Sequence, residues 1–199
     1  MNTPDAVKNL KLRWAFKGVT SSLEQYYTVV CDTEFFIEDD TTCSKRTIVV
    51  QTPSQNKYCK ILNTKGTEAV VLAIDNALIP HHKGGIADGA VFNTNDFHFV
   101  EFKTNAKGTS VKAVDEIYRK AMQQLKSTVD LFNGQLQKAK IEFTQAVNVE
   151  CHMIVALSFP RNSATEMTYA LKFAKETEGI SLSFDNIIEL TCKLPKLAY

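Results

Sequence analysis

Residues 87–103 read ADGAVFNTNDFHFVEFK. Two apolar runs, 86–92 and 97–103, flank the polar segment 93–96. Strands joined by a loop of that length form a hairpin. Side chains alternate across a strand, so Phe97, Phe99, Glu101 and Lys103 share one face, and His98, Val100 and Phe102 the other. Glu101 and Lys103 therefore emerge together, about 7 Å apart along the strand. Antiparallel pairing through the 93–96 turn sets Asp88 opposite Glu101. Two carboxylates and a lysine then meet among aromatic residues. Burying such charges is costly unless a partner charge, a cation or water compensates them.

The chain beyond the hairpin sets the fold class. Val111, Val114, Ile117, Ala121, Leu125, Val129, Phe132 and Leu136 recur at steps of three and four, which predicts a long helix with one buried face. Residues 149–159, VECHMIVALSF, suit a buried central strand closed by Pro160. Ser163 to Glu166 reads as a capping box opening a helix that stops near Gly179. Residues 180–184 and 187–194 read as late strands. Upstream, a helix is expected from Pro4 to Phe16, and a short one near Ser21 with a capping box to Glu24. Within 28–63, TVVC, EFFIE and RTIVVQT have strand composition, and 68–79 is ambiguous between helix and strand. The order predicts a single α/β (α+β) domain with a mixed sheet and helices on its faces.

Composition narrows the classes. The 199 residues are 44% hydrophobic and 23% charged, ordinary for a globular chain. No run approaches the ~18 apolar residues of a membrane span. The N-terminus is too polar for a signal peptide, so a cytoplasmic protein with no membrane partner is expected. Five cysteines (Cys31, Cys43, Cys59, Cys151, Cys192) without a CxxC read as reduced thiols. A net charge of +1 carries no global nucleic-acid signature. Locally, Lys103, Lys107, Lys112, Arg119, Lys120 and Lys126 form a basic stretch. Residues 32–40 run acidic, with Asp32, Glu34, Glu38, Asp39 and Asp40, and read as a solvated face. His81, His82 and His98 lack zinc-site spacing, so a histidine metal site is not expected. Trp14, Phe16, Tyr26 and Tyr27 read as core packing rather than base-stacking residues.

The segment 87–103 resembles the signature of the PD-(D/E)xK superfamily of restriction-endonuclease-like nucleases. In that pattern an Asp on one strand is followed, across a turn, by (D/E)-x-K on the next. Asp88 matches the first acid, Glu101 the second and Lys103 the lysine; Ala87 stands where the family often has proline. The order strand, strand, helix, strand over 86–159 also matches. The resemblance covers residues 68–160, with 1–65 as an N-terminal elaboration and 161–199 as a C-terminal helix and strand. It implies a restriction-endonuclease-like central sheet flanked by helices. It further implies Mg²⁺ or Mn²⁺ on Asp88 and Glu101, with Asp75 as an additional acid, and catalysis by Lys103 with Gln124 of the helix facing the site. DNA is the implied substrate, in restriction, repair or defence, and a homodimer the implied assembly. His81 and His82 would contact substrate phosphates. The alternative is a catalytically inactive module on the same fold that binds nucleic acid or protein.

Overall fold

The computed structural model describes residues 2–40, 42, 46–54, 56–108 and 110–191. Cys43, Cys192 and the end of the strand expected over 187–194 lie outside the described residues.

The N-terminal helix is broken in two, α1 (Asp5–Asn9) and α2 (Leu12–Ala15). Lys11 between them takes a left-handed conformation (φ 49°), which ends the run that Thr3-Pro4 was expected to carry to Phe16. The helix expected near Ser21 is one 3₁₀ turn, Leu23–Tyr26, without a side-chain cap. The chain continues through β1 (Tyr27–Val30), β2 (Glu34–Asp40), β3 (Arg46–Val50), β4 (Tyr58–Leu62), β5 (Ala69–Ala73), β6 (Gly89–Phe92), β7 (Asp96–Lys103), the long helix α3 (Val111–Lys138) and the short α4 (Phe143–Ala146). It closes with β8 (Asn148–Val155), α5 (Ser163–Glu176), β9 (Ser181–Ser183) and β10 (Ile187–Glu189). Strand β5 resolves the ambiguity over 68–79, and β8 ends at Val155, before Pro160. The cap of α5 is Asn162, whose side chain accepts from the Thr165 N–H, one residue before the expected Ser163.

The strands form two sheets rather than one. The larger has the order β1-β5-β6-β7-β8-β9, the smaller β10-β4-β2-β3, and both mix parallel with antiparallel neighbours. The β6–β7 hairpin has the expected register, Phe92 opposite Phe97 and Gly89 opposite Val100. Its turn is fixed by the Asn93 side chain, which accepts from the N–H groups of Asn95 and Asp96.

Strands β7, β8 and β9 are parallel and successive, linked by α3 and α5. Right-handed crossovers that advance across a sheet in one direction leave their helices on one face. Phe97, Phe99, Cys151 and Met153 accordingly pack with Leu125, Val129, Phe132 and Phe173 of those helices, and with α1 and α2. The opposite face, with Val71, Val91, Val100, Phe102 and Ile154, packs on Phe35, Ile37, Ile61 and Ile188 of the smaller sheet. The α+β class with a mixed sheet and flanking helices is therefore observed, with the helices on one side of the larger sheet and its other side open to a second layer. A second sheet fills that side. Two side chains also depart from expectation. Phe16 is core, but Trp14 is 55% exposed, and Val111 at the start of α3 is 89% exposed. No helix among the described residues is long and apolar enough to cross a membrane.

Candidate functional site

The pleat sends Glu101 and Lys103 toward α3, on the face that carries Phe97 and Phe99. Glu101 is buried, 1% exposed, and its Oε1 accepts from the Lys103 ammonium. Its other oxygen, Oε2, has no hydrogen-bond partner among the described residues. Lys103 also donates to Gln124 Oε1 at 2.8 Å, so the helix reaches the lysine through a glutamine. Gln123, one residue earlier, is exposed.

Asp88 sits just before β6, partly buried, and its Oδ2 accepts the Phe102 N–H at 2.6 Å. Two links hold this segment against its neighbours. Thr128 of α3 accepts the Ala87 N–H at 2.7 Å and donates to the Gln124 carbonyl, so one hydroxyl ties the strand to the helix turn that carries Gln124. The Asp88 carbonyl accepts from Ile74 at the end of β5, which brings in Asp75 next along the chain. Asp75 is half-buried and bonded to the Asn76 side chain.

A fourth acid arrives from the smaller sheet. Asp39 of β2 pairs with Thr47 of β3, and Thr47 lies over the α-carbon of Gly89. A Cβ at Gly89 would meet Thr47 Oγ1 at 2.6 Å and the Leu72 carbonyl at 2.8 Å, so only glycine lets the two sheets close there. The closure sets Asp39 within electrostatic reach of Asp88, Asp75 and Lys103. Gly85, with φ at 80°, makes the matching allowance on the helix side, where a Cβ would strike the Gln124 side chain. Sequence reasoning missed Asp39, because it stands in an acidic stretch that reads as a solvated face. The only signal for it is that stretch itself, whose final strand residues turn toward the larger sheet.

The electrostatics follow from four acids facing one lysine. Burial, then the charge of Asp39, pushes Asp88 up to about 7. Burial, then the Asp88 charge, holds Glu101 well above the usual carboxylate range. Asp39 and Asp75 are raised as well, first by burial. Such a cluster is short of positive charge, and the bare Glu101 oxygen is its most costly atom.

The other face of β7 carries a second group that the sequence reading did not expect. The parallel register places His98 opposite Glu150 and His152 two residues beyond. His98 Nδ1 and His152 Nε2 are 3.0 Å apart, and Glu150 Oε2 lies 3.7 and 3.8 Å from them. Both rings are buried, and burial is the first cause lowering both, His152 to about 3. Among the described residues this is the group of three ligand-type side chains whose donor atoms all lie within 4.8 Å, and it can hold a metal ion. Asp75, Asp88 and Glu101 are not drawn to that spacing. His81 and His82 are exposed, with His81 near enough to Asp75 to act on its charge. Cys31, Cys59 and Cys151 are free thiols.

Comparison with known protein families, with curated proteins and with solved structures finds no match in any of the three.

Proposed function

We propose that the chain is a divalent-metal-dependent nuclease that hydrolyses phosphodiester bonds, with DNA as its substrate. The observation that carries this reading is the buried, unpartnered Glu101 Oε2 beside Asp88 and Lys103. A hard cation with oxygen ligands is what such a set lacks, and Mg²⁺ or Mn²⁺ suits acids that also admit water and phosphate. Asp88 and Glu101 would hold it, with Asp75 and Asp39 adding charge at the rim. The bound ion supplies Lewis-acid stabilisation of a phosphoryl oxygen and a more acidic water. Lys103, steadied by Gln124, orients the attacking water and offsets developing negative charge.

The approach to the site supports a polyanionic substrate. A cleft of about 330 Å³ beside Gln124 is lined by Gly84, Arg119, Lys120 and Gln123. Lys112, Arg119 and Lys120 lie exposed on the outer side of α3, where phosphate contacts supply sequence-independent affinity.

The test is cleavage of plasmid and single-stranded substrates in Mg²⁺ or Mn²⁺ by the wild-type chain, Asp88→Ala and Lys103→Ala. Cleavage confined to the wild type supports the reading. Cleavage that persists in both variants removes it, as does no cleavage together with no divalent-ion binding by calorimetry. That last result leaves the inactive binding module.

A further inference from the structure

We propose that His98, Glu150 and His152 form a second metal site, selective for a borderline divalent ion of the zinc class and independent of the acidic cluster. The donor set is two imidazoles and one carboxylate, a combination that zinc, cobalt and nickel prefer over magnesium. The geometry is close to ready. Metal–ligand bonds of about 2.0–2.2 Å in a tetrahedron set donor–donor distances of roughly 3.3–3.6 Å. The observed separations of 3.0, 3.7 and 3.8 Å bracket that range, so small side-chain rotations bring three donors onto one ion.

The surroundings aim the donors at one another. Asn148 Nδ2 donates to Glu150 Oε1 and leaves Oε2 turned to the rings. Glu150 is partly exposed while the rings are not, so an ion enters past the carboxylate, and water takes the fourth position. The parallel β7–β8 register fixes the ring spacing through the backbone, not through flexible loops. The outer ring nitrogens, His98 Nε2 and His152 Nδ1, have no partner among the described residues. Metal-bound histidines usually donate from that position, and losing such a partner weakens a site by roughly 10–100-fold. Three protein donors, two of them imidazoles without outer support, describe an open site of moderate affinity rather than a closed structural one.

The site differs from the acidic cluster in face, donor chemistry and expected ion. The experiment is titration of the chelator-stripped 199-residue chain with Zn²⁺ by calorimetry, and with Co²⁺ by visible absorption. The wild type is expected to bind Zn²⁺ here and to give imidazole-ligated Co²⁺ bands. Glu150→Gln, which alters a partly exposed side chain, weakens binding by at least about tenfold. His98→Asn with His152→Asn abolishes it, provided circular dichroism shows the fold retained. Binding persists in Asp88→Asn and in the double variant His81→Gln/His82→Gln. Absence of Zn²⁺ and Co²⁺ binding in the wild type overturns the proposal. So does binding that survives Glu150→Gln and the His98/His152 variant, or binding lost when His81 and His82 are replaced.

Discussion

Strand β7 carries two polar clusters, one on each face, and burial acts on them in opposite senses. On the helix side, Glu101 and its neighbouring acids are pushed toward the protonated form, because desolvation penalises a charged carboxylate. On the smaller sheet's side, His98 and His152 are pushed toward the neutral form for the same reason. The first cluster keeps one lysine and one oxygen without a partner among the described residues; the second keeps two buried rings bonded to each other. An oxygen cluster short of positive charge suits a hard ion, and paired imidazoles suit a softer one. One strand can therefore present two kinds of site because its pleat points successive residues into different environments.

The sharpest way to break this comparison is to remove the lysine. Lys103→Ala is expected to lower cleavage by at least about a hundredfold, the scale for losing a group that stabilises developing charge, measured by plasmid nicking at saturating Mg²⁺. An unchanged rate would leave the acidic cluster without its assigned chemistry.

The next effect is on stability without metal. Asp88 titrates near 7 in the fold, against 3.8 for the free group. The folded state then holds the proton more tightly, so stability falls as pH rises from about 4 to 7. The expected loss is a few kcal/mol, on the order of 10 °C in Tm for a chain of this size. Asp88→Asn removes the Asp88 share of this dependence, leaving that of Glu101, Asp39 and Asp75, and raises the metal-free Tm at pH 8. Thermal melts at pH 5 and pH 8 in chelator check it, and parallel wild-type and Asp88→Asn profiles would refute the assigned burial.

Gly89→Ala comes third. Its methyl meets Thr47 and the Leu72 carbonyl, so the sheets part slightly. A cost of about 1–3 kcal/mol in urea unfolding is expected. Weaker Mg²⁺ binding accompanies it, because Asp39 moves with Thr47. Asp39→Asn should reproduce the weaker binding without the loss of stability.

The smallest effect belongs to the histidines. Their depressed pKa means the unfolded chain takes up protons first, so stability is full above about 6.5 and declines as pH falls below it. Replacing His152 with leucine should flatten the melting profile between pH 7 and pH 5. The slope is opposite in sign to that of Asp88, so the metal-free wild type is most stable at the pH where the two cancel.

The acidic site was largely legible from the chain because its parts are local. Asp88, Glu101 and Lys103 lie on one hairpin whose turn length sets the register, and a period of two puts the pair on one face. Gln124 was legible because α3 has an unambiguous apolar stripe, and the residue on its flank must meet the strand beneath. Asp39 was not, since its acidic neighbours look like any solvated edge. The histidine site was hidden for a different reason. His98 and His152 are separated by the whole of α3, and only a parallel pairing with one register sets Glu150 between them. The break at Lys11 and the exposed Trp14 show the same limit at smaller scale: composition favoured a continuous helix and a buried ring, and packing decided otherwise.

By itself the sequence determined the hairpin, its long amphipathic helix, the buried strand after it, and the same-face placement of Glu101 and Lys103. Turn length and residue periodicity are properties of adjacent residues, and no distant contact is needed to read them. Only the tertiary structure decided that the smaller sheet covers the face the helices leave bare. The crossovers set α3 and α5 on one side, and the apolar surface left behind had to be buried. That burial brought Asp39 to Asp88 and enclosed the two histidines.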